Sequence, residues 1–302
     1  MKINDTLNQY NNLTYIISKY LLSREKLPYL ASFKVTYRCN LACQQCPFYV
    51  IDSPDISYED AIFLMDELYN RGNRIIIFEG GEPTLWKDNT YSINDLIVAA
   101  KKRFSKVGMT SNGLNPLDFP VDTLWVSLDG FEQTHNFLRG AKIYHKIMQN
   151  IQRSNHPKLF AHITINAVNF TEIPELMKYL SPMVRGITVQ FYYPYNNKYD
   201  LYLDHSERTK TIDRILKLKK SGYPICNSVP ALKALKDNHW KCRDWLIDNA
   251  NPDGTISQGC YLRGRSDIDC SKCGFSPHTE ISLAFNLHLK SICAGYRIFY
   301  MN

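Results

Sequence analysis

The sequence predicts an α/β fold: a partial (β/α)6 barrel of the TIM type, or an open parallel sheet, followed by a small cysteine-rich module. Two observations carry this. Between residues 32 and 221, six strand-like runs alternate with helix-period segments, the pattern of a parallel sheet with crossover helices. From Pro224 the alternation stops, and cysteines recur at 226, 242, 260, 270, 273 and 293. Six units are too few for a closed eight-fold barrel. With 302 residues, 44% of them hydrophobic, the chain can build one large core and an appendage. The expected segments are an N-terminal helical piece over 1–30, the barrel over 31–223, and a cysteine module with a C-terminal helix over 224–302.

The first element is amphipathic. Leu7, Tyr10, Leu13, Ile17 and Leu21 fall at helical spacing between Asn4 and Leu22, giving a face that packs on the body of the protein or, as the alternative, lies on a membrane surface. Ser32–Tyr37 reads as the first strand and runs straight into three cysteines. Ser57 caps a helix, with Asp60 three residues on, that stops at Gly72. Arg74–Phe78 is an apolar strand, followed by a helix near Ile93–Phe104 and a third strand at Lys106–Thr110. Thr123–Asp129 is the fourth strand, and Ala141–Ser154 a helix. Strand Leu159–Val168, helix Thr171–Leu180 and strand Gly186–Tyr193 follow, and a lysine-rich helix, Ser206–Ser221, closes the series. Reactive groups in such folds sit where strands end. The three cysteines, "EGGEP", "TSNG" and "SLDG" all stand there.

The formal net charge of +7 is dispersed, with no basic block longer than Ala100–Lys106. This suits a solvated surface or a mildly positive pocket for an anionic substrate. Without a basic stripe interleaved with aromatics, nucleic-acid binding is not expected. No stretch reads as a signal peptide and no run of 18 apolar residues exists, so a cytoplasmic protein without a transmembrane segment is expected. In a reducing compartment nine cysteines argue for metal ligation or catalysis over disulfides.

Cys39, Cys43 and Cys46 form C-x3-C-x2-C. Thiolates suit iron–sulfur clusters, zinc and Cu(I). Three on a four-iron cluster leave one iron open, which is what catalysis needs. A zinc site with a fourth ligand from elsewhere is the other reading.

The triplet, "GGEPTL" (Gly80–Leu85), "TSNGL" (Thr110–Leu114) and "SLDGFEQTHNFLRG" (Ser127–Gly140), each after a successive strand, together resemble the radical S-adenosylmethionine (radical SAM) superfamily over residues 33 to about 195. The resemblance implies a 4Fe–4S cluster on Cys39, Cys43 and Cys46 that binds SAM and cleaves it reductively to a 5′-deoxyadenosyl radical. It implies SAM contacts from Gly80, Gly81, Glu82, Pro83, Ser111, Asn112, Ser127, Asp129 and Arg139. Gly80 and Gly81 suit a close backbone approach, Glu82 an ammonium and Arg139 a carboxylate. A one-electron donor such as flavodoxin or ferredoxin is implied as well. The sequence departs from the family at Gln45, where many members carry an aromatic that packs near the adenine; Phe48 or Tyr49 are the candidates to replace it.

The segment Cys242–Phe275 resembles the auxiliary-cluster (SPASM or twitch) extension that follows many such barrels. Asn251-Pro252-Asp253-Gly254 is a turn between two extended arms, and Cys260, Cys270 and Cys273 follow it. A second 4Fe–4S cluster on Cys242, Cys260, Cys270 and Cys273 is implied, with zinc on the same four as the alternative. Cys226 and Cys293 read as small buried residues. The two ends also resemble the adenosylhopane synthase type.

The functional expectation is a radical SAM enzyme that abstracts hydrogen from, or adds a radical to, an organic substrate: a lipid or isoprenoid, a ribosomal peptide, or a small anionic metabolite. Gln190–Tyr195, at the end of the sixth strand, serves either pocket or core. The competing class is a non-catalytic iron–sulfur or zinc redox-sensing protein.

Overall fold

A helix, α1, over 15–23 is the first element of the computed structural model, which describes residues 15–301. β1 (Leu30–Thr36), α2 (Tyr58–Arg71) and β2 (Ile75–Gly80) follow. A two-residue hairpin, β3 (Lys87–Asp88) and β4 (Tyr91–Ser92), leads to α3 (Ile93–Lys101), β5 (Lys106–Ser111) and β6 (Thr123–Ser127). Next come α4 (Glu132–Arg139), α5 (Tyr144–Arg153), β7 (Leu159–Ile165), α6 (Ile173–Leu180), β8 (Gly186–Phe191) and α7 (His205–Lys220). The remainder holds α8 (Val229–Ala234), β9 (Ile247–Ala250), β10 (Ile256–Gln258), α9 (Ser276–Phe285) and α10 (Leu289–Phe299).

β1, β2, β5, β6, β7 and β8 are the six expected strands, parallel and adjacent in that order, so the α/β partial barrel is confirmed. Among the described residues the sheet has eight strands, not six, because the C-terminal segment adds two. β9 pairs parallel to β1, and β10 returns antiparallel around the expected Asn251–Gly254 turn. Asp248 on β9 is fully buried and accepts from Arg71 Nε (2.8 Å) and Asn73 Nδ2 (2.8 Å), which ties the extension to the barrel. Ser57 caps α2 by accepting from the Asp60 amide at 3.1 Å, as its sequence position predicts.

The strands have two different faces. Phe33, Phe78, Met109, Val126, Ile163 and Val189 point to the helices and belong to the main core. Each such burial contributes about 1.5–3 kcal/mol. Ser32, Glu79, Thr110, Ser127, His162 and Gln190 lie on the opposite face and line the barrel interior. Strand alternation puts successive residues on opposite faces, so a parallel sheet covered on both sides would read as nearly all apolar. This one alternates because its inner face surrounds a cavity.

α1 packs on the extension: Ile16 is buried and Tyr20 stacks on Trp245 at 5.3 Å. Of the apolar face read from the sequence, Ile17 is half-buried while Leu21 is 64% exposed, so the contact is carried by Ile16 and Tyr20 instead. Leu7, Tyr10 and Leu13 lie outside the described residues. α4 was not expected. It arises because Glu132–Arg139 has one buried stripe, His135 and Leu138, and ends on Gly140 in the left-handed region (φ 71°). Among the described residues no helix is long and apolar enough to cross a membrane.

Buried histidines make the fold acid-labile. Burial lowers His135 to about 3 and His278 to about 4. The unfolded histidines titrate near 6.5, so below that pH the unfolded chain binds protons that the folded chain does not. Stability therefore falls with acid, by about 2.5 kcal/mol for the two between pH 7 and 5.5. Urea unfolding at the two pH values measures it; equal midpoints would contradict it.

Candidate active site

β1 ends at Thr36, and the chain turns into the loop that carries Cys39, Cys43 and Cys46 over the mouth of the barrel. Arg38 and Thr36 anchor its entry on Asp55 (Arg38 Nε to Oδ2, 3.0 Å). Gln44 anchors its middle on the end of α4, donating from its amide to the Leu138 carbonyl (2.9 Å) and from Nε2 to the Phe137 carbonyl (3.0 Å). The unforeseen helix is thus the platform for the cysteine loop, and Gly140 is needed there because a Cβ would sit 2.8 Å from the Ala42 carbonyl.

The three thiols line one cavity. Cys39 lies within electrostatic reach of Cys43 and Cys46, and burial pushes its thiol up to about 11. Two N–H groups already face sulfur: Phe48 N to Cys46 Sγ at 3.4 Å and Arg139 Nη1 to Cys43 Sγ at 3.9 Å. Buried thiols with N–H donors and a guanidinium against them suit an anionic metal–thiolate centre.

Gly80 and Gly81 do something other than admit a ligand. A Cβ on Gly80 would collide with the Thr36 carbonyl, and one on Gly81 with the Arg38 carbonyl. The bare backbone lets this turn lie against the cysteine loop, joined by Gly81 N to Thr36 O and Glu82 N to Arg38 O, both 2.8 Å. Both glycines also border the cavity. Glu82, 1% exposed, accepts from Ser111 Oγ (2.9 Å), Thr84 Oγ1 (2.7 Å) and Asn112 N (2.7 Å). Burial raises its pKa against these donors. The "GGEP" turn and the "TSNG" loop are therefore one unit, with Glu82, Ser111 and Asn112 all at the cavity wall.

Pro83 is buried at the start of a short 3-10 turn, away from the cavity wall. Asp129 is likewise not on the wall. It is fully buried, with Oδ1 accepting from Thr164 N (2.8 Å) and Oδ2 from Gln45 Nε2 (2.5 Å) and Arg139 Nη2 (2.6 Å). It holds other residues in place and has no free oxygen to offer a ligand. Ser127 and Arg139 do line the cavity. Phe48 lines it too and stacks on Tyr37 (6.0 Å), whereas Tyr49 is exposed. The Gln190–Tyr195 segment forms wall as well as core.

The cavity, about 510 Å³, runs from the cysteine loop down through the barrel to α10. Sequence reasoning missed its inner polar layer. Lys34 and Glu79 are directly opposite in the β1–β2 register and pair at 2.5 Å, with Ser32 donating to the same carboxylate. Burial lowers Lys34 to about 8; Glu79, although burial opposes it, is held below the usual carboxylate range by Lys34, so the pair is ionised at neutral pH. Across the barrel, His162 Nδ1 and Thr188 Oγ1 meet at 2.9 Å, again a register pair.

Cys242, Cys260, Cys270 and Cys273 lie within electrostatic reach of one another, close to the end of β8, where Phe191 N donates to the Gly274 carbonyl. Arg208 on α7, 1% exposed, donates to the Cys273 carbonyl (2.6 Å), while its Nε and Nη1 have no partner. A buried guanidinium left half-satisfied fits an anion held by these four thiolates. Among the described residues, no three His, Cys, Asp or Glu side chains gather closely enough to share a single metal ion. Cys226 is half-buried against Gly186. Cys293 is exposed, contrary to expectation, because it lies on the outer side of α10.

The model of the Radical SAM superfamily matches residues 33–180, the span from β1 to the end of α6. The chain belongs to the radical SAM superfamily. Membership implies a 4Fe–4S cluster and SAM, and the protein is an enzyme. The sporulation killing factor maturation protein SkfB of Bacillus subtilis is 32% identical over 167 residues, covering 50% of this chain and 39% of SkfB. Fe-coproporphyrin III synthase of Methanosarcina barkeri is 25% identical over 224 residues, 67% of this chain and 55% of that protein. The chain thus spans well under two thirds of these relatives. In fold, this radical SAM enzyme is similar to Streptococcus suis SuiB bound to the precursor peptide SuiA (TM-score 0.65, 13% identity, 92% of this chain and 70% of that one). That coverage reaches well beyond the residues the family model matches.

Proposed function

We propose that this radical SAM enzyme modifies a peptide, one side chain of which enters the barrel beneath SAM. The size and lining of the cavity carry the reading. A cavity of about 510 Å³ matches one drug-sized ligand, about 300–1,000 Å³. SAM would take up most of that volume, so whatever space is left beneath it suits a side chain better than a macrocycle or a whole lipid. Glu79, His162, Thr188 and Gln190 offer that side chain hydrogen-bond partners. The fold shared with SuiB bound to a precursor peptide supports the same class.

In this reading Cys39, Cys43 and Cys46 hold the cluster. When bound, it supplies the electron that cleaves SAM to the 5′-deoxyadenosyl radical. Gly80, Gly81, Glu82, Ser111, Asn112 and Ser127 form the SAM wall, and Arg139 faces the carboxylate. Pro83 shapes the turn and Asp129 orients Arg139. Cys242, Cys260, Cys270 and Cys273 hold a second 4Fe–4S cluster, with Arg208 as its counter-charge. Electrons come from a flavodoxin or ferredoxin in the cytoplasm.

The test is anaerobic incubation of the reconstituted enzyme with dithionite, SAM and short peptides encoded beside its gene. A peptide that loses hydrogen, with 5′-deoxyadenosine formed in step, supports the reading and indicates abstraction. An adenosylated peptide indicates addition. Conversion of a lipid or an anionic metabolite, with every peptide unchanged, overturns the substrate class.

A further inference from the structure

We propose that Gln45 is a positioning residue: it holds the Arg139 guanidinium against Cys43, and this fixed positive charge raises the reduction potential of the cluster on Cys39, Cys43 and Cys46. The proposal rests on the assignment of that cluster made above. Gln45 stands just before the third cysteine, where many family members carry an aromatic. Its side chain is committed to a polar network. Nε2 donates to Asp129 Oδ2 at 2.5 Å, and the same oxygen pairs with Arg139 Nη2 at 2.6 Å. The other arm of the fork, Nη1, lies 3.9 Å from Cys43 Sγ, within reach of an N–H···S bond.

Asp129 cannot yield. Its Oδ1 is taken by Thr164 of β7, its amide donates to His135 Nδ1 (3.1 Å), and its carbonyl accepts from Asn169 Nδ2 (2.8 Å). The barrel and α4 therefore fix Asp129, and Gln45 is the side chain that ties the cysteine loop to it. Without Gln45, the loop loses its tie to Asp129, and the guanidinium keeps Asp129 but not its fixed register on the cysteine loop. Arg139 is only 12% exposed, so its charge acts on Cys43 with little solvent screening. Reduction adds one negative charge to an already anionic centre, and hydrogen bonds to its sulfurs favour the reduced form.

The experiment is an EPR-monitored anaerobic redox titration of the loaded enzyme without SAM, for wild type, Q45L, R139M and R139K. A final addition of SAM identifies the signal of the cluster that binds it. Omitting SAM during the titration separates this effect from any contact of Arg139 with the SAM carboxylate. R139M is expected to make reduction about tenfold harder, 59 mV more negative for one electron. Q45L is expected to shift the same way by less, at unchanged iron content. R139K, which keeps the charge but not the fork, is expected to fall between wild type and R139M. A purely structural role would lower iron content or thermal midpoint and leave the potential alone. Wild-type potential in loaded Q45L overturns the role of Gln45 even if R139M fails to load, and wild-type potential in R139M or R139K overturns the charge effect. Absence of SAM cleavage by wild type would instead overturn the functional reading.

Discussion

Replacing Cys39, Cys43 and Cys46 together with alanine is expected to lower iron from about eight to about four per chain and to abolish SAM cleavage. The loss is total because the three thiols of this cavity are the only protein ligands the reading gives that cluster. A fourth ligand from the protein would close the position that SAM needs. The complementary variant replaces Cys242, Cys260, Cys270 and Cys273. It is expected to lose the other four irons and still bind SAM, since those residues stand apart from the SAM wall. Iron analysis and chromatographic detection of 5′-deoxyadenosine check both. Retained cleavage in the triple variant contradicts the assignment. Four irons plus one zinc in the wild type would return the late cysteines to the zinc alternative.

The six strands and the cysteine loop were legible because both are local signals: apolar runs bounded by turns, and thiols at fixed spacing. α4 was not, since its segment also carries the "SLDG…RG" motif, and a motif read for chemistry hides the helical stripe of His135 and Leu138. The placement of Asp129 and Pro83 behind the cavity wall was not legible for a related reason. Motif membership says that a residue matters, not whether it meets the ligand. Asp129 meets Thr164, Gln45 and Arg139, three residues spread over the chain, and no spacing rule reveals such a meeting. The polar layer inside the barrel was legible in principle. Ser32, Lys34 and Thr36 alternate with Phe33 and Val35, as Thr188 and Gln190 do with Ile187, Val189 and Phe191. In a parallel sheet covered on both faces, that alternation marks a filled or ligand-bearing interior. Arg208, by contrast, sits in a lysine-rich helix that looks solvated, and its burial depends on how the extension folds back.

Lys34→Met is expected to destabilise the protein by about 3–5 kcal/mol, toward the lower end. Lys34 has no exposure, and its ammonium is divided among Glu79 (2.5 Å), Ser32 Oγ (3.3 Å) and the Tyr261 ring (4.3 Å to the centroid). Removing it leaves Glu79 charged in the barrel interior without its partner. Glu79 keeps 24% exposure to the cavity, which softens the penalty. At about 2–4 °C per kcal/mol, anaerobic thermal unfolding should show a Tm lower by roughly 6–12 °C. The second variant decides the cause. If the cost is an uncompensated charge, Lys34→Met combined with Glu79→Leu should recover most of the loss, because a buried ion pair can be replaced by apolar groups at little cost. If the cost is lost packing against Tyr261 and Phe48, the double variant should be no better than the single. The double variant also separates fold from function. It restores the barrel wall while deleting the carboxylate that faces the substrate space, so a Tm near wild type with SAM cleaved but substrate unmodified would assign Glu79 to substrate binding.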